Sequence, residues 1–151
     1  MESVISLFSN IYVGKNRAFI YFWVSKSNKF IYVGQTNDKS GTLGRAVGHL
    51  RHDGTFRKRC EEKVGVYLEK VDDLTLYSFP LPSEQKFIGA ESSYREAIEY
   101  LVQSKLILKR GKGNPMYLII SWVRTSDRTN ESIVQSISEN IVNEFLRLYS
   151  L

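Results

Sequence analysis

The chain has 151 residues, 42% hydrophobic and 13% aromatic, with a net charge of +5 and a pI near 9.3. That length and apolar content suit one globular domain with its own core and argue against a disordered chain. The lone cysteine, Cys60, excludes an intrachain disulfide, and one Cys with two His leaves too few soft ligands for a zinc site.

Met1-Glu2 opens no basic and apolar leader, and the longest apolar run, "MYLIISWV" at 116–123, is too short to span a bilayer. No membrane partner is expected, and a reducing, cytoplasmic setting fits the cysteine usage. The tetrapeptide Ile-Tyr-Val-Gly occurs twice, at 11–14 and 31–34. The first copy runs through "KNRA" toward another β-prone segment.

"AFIYFWV" at 18–24 and "FIYV" at 30–33 are rich in β-branched and aromatic residues, with the turn-prone "SKSNK" between them, which predicts a β-hairpin. The Gly/Asn/Ser-rich "GQTNDKSGTLG" is a loop. A helix is expected from about Leu43, carrying Arg45 and His49 one turn apart, with His52 a backbone contact near its end. A second helix is expected over 57–66, carrying Cys60 as a structural or incidental residue. "DLTLYSF" at 73–79 reads as a third strand, stopped by Pro80 and Pro82.

The next helix has two candidate starts. Ser93 with Glu96 has the capping-box spacing; Ser83 would place Gly89 inside the helix at a cost of about 1 kcal/mol. "KRGKGN" at 109–114 is a basic turn, and "PMYLIISWV" reads as a buried strand. Ile133, Ile137, Ile141, Phe145 and Leu148 recur at helical spacing, with Thr129 or Asn130 as the expected cap.

Basic residues are segregated along the chain, in 39–59 and in 105–112, while acids gather in 61–73 and 84–99. Arg57, Lys58, Arg59, Lys109, Arg110 and Lys112 are the candidate contacts to a polyanion.

Phe19-Ile20-Tyr21, then Tyr32-Val33-Gly34 with "GQT" beginning at that glycine, then Arg45-Ala46-Val47-Gly48-His49 form an ordered set. Tyr21 and Tyr32 are eleven residues apart, one strand and a short turn. Over roughly residues 18–115 this set resembles the GIY-YIG nuclease family, with Phe19 standing where the first motif has its glycine. The first Ile-Tyr-Val-Gly lacks these companions.

The resemblance implies an α/β (α+β) fold with a small, mainly antiparallel central sheet of about three strands flanked by helices. Residues 1–17 would form an N-terminal segment, 18–115 the nuclease core, and 116–151 a C-terminal strand and helix packed on it. It also implies a metal-dependent endonuclease hydrolysing phosphodiester bonds in DNA, double-stranded or branched. The metal would be Mg²⁺ or Mn²⁺.

Arg45 would neutralise the phosphate, since guanidinium stays charged and matches phosphate geometry. The resemblance has Tyr21 activate the nucleophile and Tyr32 position water or phosphate; unassisted tyrosine is a poor base at neutral pH. His49 would relay a proton or bind phosphate. Three carboxylates compete to hold the metal: Glu99 first, Glu91 as its rival, and Glu96. Asn114, fifteen residues after Glu99, matches an active-site Asn of the family. A homodimer would supply the second site that double-strand cutting asks for. The alternative is a nuclease-like module that holds nucleic acid without cleaving it.

Overall fold

The computed structural model describes residues 16–51, 53–122 and 125–151. The first Ile-Tyr-Val-Gly copy and His52 lie outside the described residues.

Strand β1 (Phe19–Ser25) is buried along its whole length, as its unbroken apolar run requires of a central strand. It turns into β2 (Phe30–Thr36) as an antiparallel hairpin that sets Tyr21 opposite Gly34 and Trp23 opposite Tyr32. On its other side β1 pairs antiparallel with β3 (Thr75–Pro80). β4 (Leu118–Ile119) adds to β2 in parallel, so the sheet is mixed and four-stranded in the order β3-β1-β2-β4. Five helices accompany it among the described residues: α1 (Gly41–His49), α2 (Thr55–Lys63), α3 (Gln85–Ile88), α4 (Ser93–Lys109) and α5 (Ser132–Tyr149).

The period of two along β1 sorts its side chains to two cores. Ile20, Phe22 and Val24 join Ile31 and Val33 under α4 and α5. Tyr21 and Trp23 join Phe30, Tyr32, Ala46, Phe56 and Cys60 on the opposite face, beside α1 and α2. In the first core Phe22 stacks on Phe145 of α5 with centroids 4.4 Å apart. Such a pair is worth ~0.5–1.5 kcal/mol beyond the area it buries. The C-terminal helix is therefore part of the main core.

Several expectations need correction. The sheet has a fourth strand. "PMYLIISWV" is no buried strand: only two residues pair, Leu118 is 43% exposed and Met116 60%. It is a short edge.

The chain makes α3 from Gln85, with Glu84 and not Ser83 before it, breaks at Gly89, and restarts as α4 at Ser93. Arg95 explains the break, since its buried guanidinium donates to the carbonyls of Phe87 and Gly89 and to Gln35 Oε1. No capping box forms. Ser92 is the N-cap and donates to Glu96 Oε1, while the Ser93 hydroxyl donates to Glu91. Glu131, not Thr129 or Asn130, caps α5. Cys60 is buried, its thiol pushed up by burial and donating to the Val66 carbonyl, as a structural residue.

Candidate active site

β4 pairs with only Phe30 and Ile31, after which Ser121 Oγ accepts from the Val33 amide at 3.0 Å and the chain departs. Gly34 and Gln35 thus pair with β1 on one side and have no strand on the β4 side among the described residues. A cleft of about 320 Å³ opens there. Tyr21, Tyr32, Gly34 and Gln35 line it from the sheet, Arg45 from α1, Thr55 and Arg59 from α2, and Glu96, Glu99, Tyr100 and Gln103 from α4. Ser121 and Trp122 complete the wall.

The glycine that ends Tyr-Val-Gly has a steric reason. Gly34 is the direct cross-strand partner of Tyr21, and a Cβ there would overlap the phenol ring. Gly34→Val is expected to push Tyr21 aside and to cost about 1–3 kcal/mol by overpacking. Urea melts would read that loss, and an unchanged midpoint with full function would show that the ring can move away freely.

Tyr21 is 2% exposed and His49 4%. The phenol oxygen and His49 Nε2 share a hydrogen bond. Burial, then the neighbouring Tyr32, raises the Tyr21 pKa; the Arg45 guanidinium beside it pulls the other way without winning. Burial lowers His49 to about 4, assisted by Arg45. The resting pair is thus a protonated phenol and a neutral imidazole, so the O–H donates to Nε2. His49 does not line the cleft: it stands behind Tyr21, edge-on to Tyr32 at 5.3 Å. Arg45 lies on the exposed side of α1, and Ala46 beside it is buried.

The three carboxylates separate clearly. Glu99, half-buried, lines the cleft, and its Oε1 accepts from Gln103 Nε2 at 3.3 Å. Glu96 also lines it, but one of its oxygens accepts from Ser92. Glu91 does not: it is exposed and accepts from the Ser93 amide and hydroxyl, which hold its carboxyl below the usual range. Glu91 lies in the break between the two helices, after Gly89 ends α3 and before α4 begins. Asn114 is also outside the cleft, its amide donating to the Lys109 and Lys112 carbonyls in the turn after α4.

Of the six basic residues singled out, only Arg59 lines the cleft. Arg57 pairs with Glu69 and donates to the Leu50 and Arg51 carbonyls, tying α2 to the end of α1. Lys109 binds Glu139 and Asn143 of α5, and Arg110 donates to the Tyr117 carbonyl. Lys58 and Lys112 are exposed away from it.

Sequence reasoning missed Gln103, Tyr100, Ser121 and Trp122. Only Gln103 had a signal: it lies four residues after Glu99, on the same helix face. It is fully buried, its amide donating to Glu99 while its Oε1 has no hydrogen-bond partner among the described residues.

The described residues hold no cluster of three or more His, Cys, Asp or Glu side chains that could hold a metal ion. Glu99 and Glu96 offer hard oxygen donors on one helix, which suits a cation bound through one or two carboxylates and retained water, as Mg²⁺ is. No helix among the described residues is long and apolar enough to cross a membrane. Family models, curated proteins and solved structures were each compared with the chain, and none matches it.

Proposed function

We propose that the chain is an endonuclease that hydrolyses phosphodiester bonds in DNA with the help of Mg²⁺ or Mn²⁺. One observation carries this reading. β1, β2, α1 and α4 each send one residue of a hydrolytic set, Tyr21, Tyr32, Arg45 and Glu99, to a single cleft. Behind it, Tyr21 is joined to a neutral imidazole.

Arg45 donates to the non-bridging phosphate oxygens as negative charge builds, which is where a fixed cation contributes most. A water in the cleft attacks the phosphorus and gives its proton to the Tyr21 oxygen while the phenol proton passes to His49 Nε2; the ester P–O bond opposite breaks, and the departing oxygen takes a proton from solvent. The phenol therefore never has to exist as a free phenolate, which its burial would oppose. Tyr32 holds the water or a phosphate oxygen in line, and Gln103 orients Glu99. Glu99, with Glu96 beside it, would hold the divalent ion, whose chemistry is to neutralise charge on the phosphate and the departing oxygen.

The test is conversion of supercoiled plasmid to open circles with Mg²⁺ or Mn²⁺ and with EDTA. Metal-dependent nicking is expected from the wild type and a loss of about 10²–10³-fold from Arg45→Ala, which removes one exposed guanidinium. A wild type that binds DNA and never nicks it would leave the binding module instead.

A further inference from the structure

One wall of the cleft takes no part in that chemistry. Trp122 lines it and is 58% exposed. The guanidinium of Arg59, from α2, lies over the indole ring at 4.4 Å from its centroid. The Arg59 side chain is only 16% exposed, and its carboxylate neighbour Glu62 is 3.8 Å away, too far for a tight pair. An isolated surface aromatic means little. This one is different because it sits inside a concave site, with a cation held against its ring, beside residues read as holding phosphate.

Leaving an indole wet forfeits burial that the fold uses elsewhere. The other tryptophan, Trp23, is 7% exposed and stacked on Phe56. A flat π surface beside a cation, next to a phosphate site, has the make-up of a nucleotide grip: the ring meets the base and the guanidinium meets the backbone.

We propose that Arg59 and Trp122 form a subsite for an unpaired nucleotide flanking the scissile phosphate. Trp122 stacks on its base and Arg59 contacts its phosphate. The inference rests on the nuclease reading of the cleft and narrows its substrate. A base inside a duplex has both faces covered by neighbours, so its ring cannot reach Trp122. The preferred substrate is DNA presenting a single-stranded, flapped or bulged nucleotide at the cut.

The chain's two tryptophans, one buried and one exposed, make fluorescence a site-specific readout. The full chain in EDTA, where cutting cannot occur, is titrated with a short single-stranded oligonucleotide, a flapped duplex and a blunt duplex of matched sequence. The first two should quench the exposed, red-shifted part of the emission and the blunt duplex should leave it unchanged. Trp122→Phe should keep the Trp23 signal, lose the quench and bind about threefold more weakly; Trp122→Ala should bind about tenfold more weakly or worse. Arg59→Ala should lower the salt dependence of binding by about one ion.

Equal quenching by the blunt duplex, or unchanged binding by Trp122→Ala with native circular dichroism, overturns the proposal. The two readings fail separately. Quenching without nicking removes the nuclease and leaves the subsite, and nicking of blunt duplex without quenching does the reverse.

Discussion

Glu99→Gln is expected to lower metal-dependent nicking by roughly 10³-fold, while Glu91→Gln should leave the rate within about twofold. The size follows from the several kcal/mol that a bound cation lends to a charged transition state. The contrast follows from position. Both glutamates flank the start of α4, yet Glu99 faces the cleft, whereas Glu91 is spent on the Ser93 amide and hydroxyl at the surface. Glutamine keeps the size of the side chain and removes the charge, so folding should hold. Titration with Mn²⁺ separates the causes: Glu99→Gln should need far more metal for half-maximal nicking. If Glu91→Gln is the variant that fails, the cleft is not the metal site.

Tyr21→Phe should lower the nicking rate by about 10²–10⁴-fold, the range for a positioned acid–base group. It should also destabilise the fold by about 1–3 kcal/mol, because His49 Nε2 loses its hydrogen-bond donor in a buried place. The pH profile checks the assignment independently. With His49 depressed to about 4, the acid limb of activity should fall near pH 4, not near the usual histidine value of about 6.5. The sign carries over to stability. Above the unfolded value both states hold a neutral imidazole and nothing is lost. As pH falls from there toward 4, the unfolded chain takes up the proton first and the fold weakens. An acid limb near 6.5 would mean that His49 is wet, and the relay would be lost with it.

The hairpin, both tyrosines and the helix bearing Arg45 were legible because each rests on local pattern: an apolar run, a turn, a spacing. The choice among the three carboxylates was not. It depends on Gly89 and Arg95 breaking α3 from α4, which is a tertiary event: Arg95 reaches back to the Phe87 and Gly89 carbonyls and across to Gln35. The basic residues misled for a similar reason. Charge along the chain marks polarity, but Arg57 and Lys109 are occupied by Glu69 and Glu139, partners that sequence proximity did not suggest. Trp122 was hidden because "MYLIISWV" has the composition of a buried strand, and only the early departure of β4 leaves that indole exposed.

The stacking of Phe22 on Phe145 bears on the order in which the molecule folds. The hairpin that carries Tyr21 and Tyr32 closes over a few residues and is kinetically cheap, whereas the contact between β1 and α5 spans most of the chain and must wait for a large loop to close. During synthesis the tyrosine ladder can therefore form while its rear face is still bare. The cleft acquires a firm floor only when the last helix arrives.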